Sequence, residues 1–331
     1  MKNILTFVCC IEQGRLEKQT LLMLDTLRSN AGEFANCHVI AVVGRFGAKL
    51  SPKTIELLKQ FNVELYVAKN ENPYAWFNYS NKVVAVNVAQ RKAKTPCIAW
   101  LDSDVLFLNQ PNGFMLNDEE DFLASLDYFP PAVVEKELTQ IPYWQSLCSI
   151  LNVDFSNIPI VKNQLNNKSQ HIYLSSGVMV WRKDTNFAIA YRDAFVKVMA
   201  SKLAQHNGTF FTADQVILSV IVHKEKLRWR NLAYPDHHVT IPGQIEGISQ
   251  SPSMQTSNVL HYSQSLSPPF RTKYLLRLNE ECPAIISFIQ KNDQLNLTNT
   301  QLQLLVAKTL RVFRGMRWRI FEKTIKKTNI G

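Results

Sequence analysis

The segment CIAWLDSDVLFLNQP, Cys97–Pro111, decides how the chain is read. An apolar run, Cys97–Leu101, meets Asp102, Ser103 and Asp104 and turns apolar again at Val105–Leu108. Alternate strand residues share a face, so an extended backbone sets the Asp102 and Asp104 carboxylates side by side. Two like charges there repel, and their burial without a partner is costly. The spacing therefore requires a positive group, a cation or abundant water at this strand end.

Outward from this segment, strand-like and helix-like patterns alternate. Residues 4–11, 38–43 and 63–67 read as strands, and residues 16–29, 51–61 and 81–92 as helices. The order predicts an α/β domain with a largely parallel sheet, in which ligands collect at the carboxyl ends of strands. Asp102 and Asp104 lie at such an end. Further on, 143–151 reads as a helix after a Pro-containing segment, 128–142, and 157–170 as a loop. Residues 172–184 form a strand with Gly177 inside it, a position where a ligand or another backbone approaches closely. Residues 186–203 and 214–226 read as helices, and 259–261 as a short strand after a Ser/Gln/Pro-rich loop.

The totals narrow the possibilities. The 331 residues, 46% hydrophobic, are ample for a core. No stretch reaches the roughly 18 apolar residues of a spanning helix, and the opening MKNILTFVCCIE carries no cleavage site, so a cytoplasmic protein is expected. The six cysteines show no paired metal spacing and read as small buried hydrophobes. Of the net charge of +10, residues 301–331 supply +7, from eight Lys/Arg against one Glu. That tail has helical periodicity over 301–327. Leu302, Leu305, Val306, Leu310, Phe313, Met316 and Ile320 share one arc, with Lys308, Arg311, Arg319 and Lys326 opposite. A basic amphipathic helix suits an anionic membrane surface; the alternative is a helix docked on the catalytic domain. The chain shows no nucleic-acid-binding module.

A divalent cation turns the repulsion of Asp102 and Asp104 into shared attraction, and Mg²⁺ or Mn²⁺ so held leaves positions for substrate phosphates. The plain alternative is a solvated turn. The ordered set LDSD, SSGVMVW, TADQVIL and VLHYSQ resembles nucleotide-sugar glycosyltransferases of the GT-A fold, closest to the group of glycogenin and the bacterial lipopolysaccharide galactosyltransferases. The likeness spans about the first 265 residues. It implies a Rossmann-type mixed sheet flanked by helices, residues 1–270, followed by a helical region, 271–331, ending in the amphipathic tail.

The resemblance also implies roles. Asp102 and Asp104 would hold Mn²⁺ (or Mg²⁺) on the donor diphosphate, with Ser103 between them and His261 completing the ion's ligands. An imidazole ligand favours manganese over magnesium. Asn81, Lys82, Ser103, Ser176, Gly177 and Glu12 would contact the nucleotide sugar. Asp214 and Gln215 would face the transferred sugar, although Thr212 and Gln215 also fit a helix capping box. Where the family carries a Gly-x-x-Lys-Pro-Trp-like run, this chain reads Ser-Leu-Ser-Pro-Pro-Phe-Arg over 265–271, leaving Arg271 or Lys273 to meet the diphosphate. Neither the adjacent His237 and His238 nor the aromatic cluster Tyr74, Trp76, Phe77 and Tyr79 is expected to be catalytic. The expected activity is metal-dependent transfer from a nucleotide-diphosphate sugar, UDP-linked, to a glycan or lipid-linked acceptor. A nucleotidyltransferase is disfavoured by the single glycine of CCIEQGRLEK, and a non-catalytic membrane scaffold is the remaining rival.

Overall fold

A computed structural model of the chain describes residues 5–68, 70–127, 140–163, 167–203, 213–240, 253–297 and 300–324. The segment 128–139, Thr212 and Lys326 lie outside them. The first half alternates as its pattern requires: β1 (Leu5–Cys10), α1 (Arg15–Asn30), β2 (His38–Val43), α2 (Pro52–Gln60), β3 (Val63–Val67), α3 (Ser80–Lys92) and β4 (Cys97–Leu101). Then follow β5 (Val105–Phe107), β6 (Phe122–Leu126), α4 (Ile141–Ile150), β7 (Ile160–Lys162), β8 (Ser169–His171), β9 (Leu174–Arg182), α5 (Phe187–Ser201) and α6 (Ala213–Lys224). The remainder holds β10 (Trp229–Asn231), β11 (His238–Val239), β12 (Val259–His261), α7 (Arg271–Glu281), α8 (Ala284–Asp293) and α9 (Gln301–Glu322).

The main sheet runs β10-β6-β9-β4-β1-β2-β3. Every neighbouring pair is parallel except those made by β9, which is antiparallel to both β4 and β6. This one reversal matters for the site. It brings the beginning of β9, with Ser176 and Gly177, to the edge where β1 and β4 end, and the Asp102 amide donates to the Gly177 carbonyl (2.8 Å).

Both faces of the sheet are covered, so its central strands are buried throughout, as in LTFVCC and CIAWL. Period-two alternation divides them. Val8, Ile40, Ile98 and Trp100 point into a core with Val84, Trp144, Phe195 and Ile217. Leu5, Phe7, Cys9 and Ala99 point into the opposite core with Leu24, Leu27 and Phe34. A third cluster joins Leu22 of α1 to Leu106, Leu260, Tyr274, Leu278 and Ile289, seating α7 and α8 beside the sheet. The cysteines are free thiols, all buried but half-buried Cys282.

Two expectations need correction. Asp102–Asp104 does not lie within one strand: β4 ends at Leu101, and β5 belongs to a separate three-stranded sheet, β11-β12-β5. The chain changes sheets at the acidic residues, which explains why polar groups interrupt an apolar run. The stretch read as loop between 157 and 170 contains a small hairpin of β7 and β8. No helix among the described residues is long and apolar enough to cross a membrane.

Candidate active site

Asp102 and Asp104 leave the end of β4, and His261 ends β12. These two pieces are joined by backbone: β5 pairs antiparallel with β12 in the register Val105↔His261, and the Tyr262 amide donates to the Asp104 carbonyl (3.0 Å). The side chains converge as a result. One potential ligand atom from each of Asp102, Asp104 and His261 lies within 4.8 Å of the others. His261 Nε2 stands 3.2 Å from Asp104 Oδ1 and 3.9 Å from Asp102 Oδ2. Two partly exposed carboxylates and a buried imidazole fit Mn²⁺ or another cation that accepts mixed oxygen and nitrogen ligands.

The positive group that the acidic pair requires is also supplied by the chain. Lys82, one turn into α3, is buried, and its Nζ lies 3.1 Å from Asp102 Oδ1 and 3.0 Å from Asp214 Oδ2. It also donates to the Ser176 carbonyl (2.9 Å) and hydroxyl (2.7 Å). Burial opposes its charge, but the two aspartates outweigh burial and raise its pKa above the ordinary lysine value. Trp100 Nε1 donates to Asp102 Oδ1 (2.9 Å), fixing that carboxylate from the sheet side. Burial raises the Asp102 pKa, with Lys82 and His261 opposing it. At Asp104 burial acts in the same sense, but contact with His261 prevails and holds the carboxyl below its ordinary value. The His261 imidazole is correspondingly raised, Asp104 overcoming the effect of burial.

Asp214, in the first turn of α6, is buried, and its Oδ2 accepts from Lys82 and from Ser176 Oγ (3.1 Å). Lys82 thus ties the acidic pair, β9 and α6 into one unit. Gly177 permits the closeness: a Cβ there would come within 2.4 Å of His261 Nδ1. Ser103 is buried between the two aspartates.

Other expected residues are placed differently. Both Glu12 oxygens are taken by Arg45 (2.5 and 2.7 Å), and Asn81 also donates to Oε1. Glu12 and Asn81 therefore belong to an arginine-centred network rather than presenting free polar groups. Gln215 Nε2 donates to Asp127 (2.8 Å). Arg271 pairs with Asp293 and donates to the Leu266 carbonyl, so it is turned away from the acidic pair; Lys273 lies exposed.

The sequence reading passed over one residue. His237 is buried, its Nδ1 lies 2.5 Å from Ser125 Oγ, and its Nε2 lies 3.2 Å from His261 Nδ1. Of the adjacent pair, only His237 reaches the cluster; His238 points to Ser257.

This architecture, a mixed sheet with an acidic turn at a strand end, is that of the GT-A glycosyltransferases. Residues 7–226 match the Rhodobacterales glycosyltransferase domain, and the chain belongs to that family. It is therefore an enzyme that transfers sugar, which sets aside the nucleotidyltransferase and scaffold alternatives. Among solved structures it is similar to the bifunctional glycosyltransferase WbbM, at TM-score 0.50 and 10% identity over 88% of this chain and 52% of that one. An active-site mutant of LgtC gives TM-score 0.50 and 9% identity over 84% of this chain and 96% of that one. The chain thus spans about half the length of WbbM. No curated protein sequence matches it.

Proposed function

We propose that the enzyme is a metal-dependent transferase that takes a sugar from a nucleotide-diphosphate donor, UDP-linked, and passes it to a glycan or lipid-linked acceptor. The carrying observation is the convergence of Asp102, Asp104 and His261 beside the buried Lys82. Those three side chains would hold Mn²⁺ or Mg²⁺, which neutralises a leaving diphosphate as a Lewis acid. Lys82 opposes the effect of burial on the Asp102 carboxyl and orients it. Ser176 and Asp214, both hydrogen-bonded to Lys82, would position the sugar. Asp214 Oδ2 already accepts two hydrogen bonds, which suits holding a sugar better than removing a proton and favours a retaining outcome.

Attachment to an anionic membrane face through α9 belongs to the same proposal. Its support is the exposure of Leu302, Leu305, Phe313 and Ile320 alongside Lys308 and Arg319. The deciding experiment is Asp104→Ala. Mn²⁺-dependent release or transfer of sugar from UDP-sugars should be abolished, together with Mn²⁺-dependent thermal stabilisation by UDP across a UDP, GDP and CMP panel. Unchanged turnover in that variant overturns the metal assignment.

A further inference from the structure

Helix α9 is docked, and by a face that its apolar arc does not announce. Trp318 lies against Phe77 (ring centroids 5.9 Å apart, 13° between planes) and Trp76 (6.0 Å), and Phe321 lies 4.9 Å from Trp76. Most of the expected apolar arc is left outside: Leu302, Leu305, Phe313, Met316 and Ile320 are exposed. The inward row, Leu310, Arg314 and Trp318 at four-residue spacing, instead faces a cavity of about 850 Å³.

That cavity neighbours the acidic cluster: Glu12 in its wall accepts from Asn81, the residue before Lys82. Tyr79, at the start of α3, lines it, and the charges of Asp214, Asp102 and Asp104 all act on its hydroxyl. Gln264, three residues beyond His261, lines the opposite side. Deeper in, the wall is the Glu12–Arg45 pair, in which the two charges satisfy each other. Arg314 is different. Its guanidinium donates to the Phe46 carbonyl (2.5 Å), and among the described residues no carboxylate lies within ion-pair distance of it. Burial and the neighbouring Arg45 both disfavour its charge, with Glu12 only partly compensating. A half-buried cation with donors to spare, beside tryptophan rings, is suited to a planar ligand rich in acceptor oxygens.

We propose that α9 forms one wall of the donor pocket, with Arg314 donating to carbonyl oxygens of the nucleobase and Trp318 closing the cavity over it. This rests on the nucleotide-donor reading above: a diphosphate at Asp102 and Asp104 leads past Tyr79 into the space that Arg314 faces. The tail then sets donor affinity and base preference in addition to whatever it does outside.

The test is calorimetric titration of the full chain with UDP, GDP, ADP and CDP, and separately with pyrophosphate, all in Mn²⁺. Arg314→Ala should weaken the best nucleotide tenfold or more and leave pyrophosphate unchanged, while Arg314→Lys falls between. Arg317→Ala, on the exposed side, should bind as the wild type does. Equal nucleotide affinity in Arg314→Ala overturns the proposal and leaves the nucleotide-donor reading intact. Parallel loss of nucleotide and pyrophosphate overturns the base contact. A wild-type chain that binds no nucleoside diphosphate overturns the donor reading and this inference together. Unfolding profiles of Arg314→Ala and Trp318→Phe that match the wild type keep the comparison free of folding effects.

Discussion

His237 Nε2 stands 3.2 Å from His261 Nδ1, ring over ring at 5.3 Å between centroids. The roles along this buried line depend on the tautomers, and a metal held at His261 Nε2 would fix them. For His261 Nε2 to offer a lone pair beside Asp104, its proton must sit on Nδ1 and point at His237. His237 then accepts at Nε2 and donates from Nδ1 to Ser125 Oγ, 2.5 Å away. Burial holds the His237 pKa well below the ordinary histidine value, and the like charge of His261 adds to the effect, so His237 stays neutral and can accept. His237 is thus a positioning residue that acts through His261.

His237→Ala should lower Mn²⁺ affinity by about 10–100-fold, the usual cost of losing the partner that orients a ligating imidazole. Electron paramagnetic resonance of free Mn²⁺ reads this without turnover. His237→Gln, whose amide can still accept from His261, should recover part of the loss. Equal affinity in all three proteins would mean that the histidine pair only fills space.

Lys82 joins Asp102, Asp214 and Ser176 below the surface. Lys82→Met keeps the volume of the stem and removes the charge, leaving two carboxylates without their shared cation. The expected loss is about 3–5 kcal/mol of folding stability, as for other buried ion pairs broken from one side. Urea unfolding at neutral pH measures it, and part of the loss should disappear in acid, where the Asp102 carboxyl, its pKa raised by burial, takes up a proton. A midpoint that does not move would show that the aspartates find water or each other instead.

His238 predicts an acid-sensitive fold. It is buried, Nδ1 meets Ser257 Oγ at 2.6 Å, and Nε2 has no hydrogen-bond partner among the described residues. Burial, with Arg277 adding to it and Glu281 opposing, pushes its pKa down to about 4. Below its ordinary value of 6.5 the unfolded chain takes up a proton that the folded chain refuses, so stability falls as pH drops from 6.5 towards 4. The full effect is about 3 kcal/mol. His238→Asn should flatten this slope in unfolding experiments between pH 7 and 4.5, with His237 supplying the remainder. An unaltered slope would acquit His238.

Much of the fold was legible because its strands and helices carry clean periods. Residues 38–43, 63–67 and 259–261 read as strands with the observed bounds, since each is a short apolar or β-branched run between turn residues. Phe122–Leu126 and Trp229–Asn231 were missed: the first follows an acidic loop and the second alternates too briefly to register. Asp102 and Asp104 drew attention because their spacing called for a positive group, whereas His261 and Lys82 entered only through the family resemblance, Lys82 as a donor contact rather than as the buried cation between Asp102 and Asp214. His237 was not legible, since it lies just before the two-residue strand β11 and nothing in the sequence says which of the adjacent histidines turns inward. The tail was half legible. Its periodicity marked a helix, but the docked face was not announced by hydrophobicity, because apart from Leu310 it is built from Arg314, Trp318 and Phe321, which lay outside the apolar arc.

The strand register Val105↔His261 has a consequence for how the acidic cluster behaves when stripped. Ladder hydrogen bonds, not coordination, set the spacing of Asp104 and His261, so the arrangement is preorganised before any ion arrives. Chelation should therefore empty the cluster without unfolding the domain, unlike small folds whose stability is the metal's own binding energy. The same apoprotein would then accept one ion after another, which makes a direct ranking of manganese, magnesium and cobalt on a single preparation feasible.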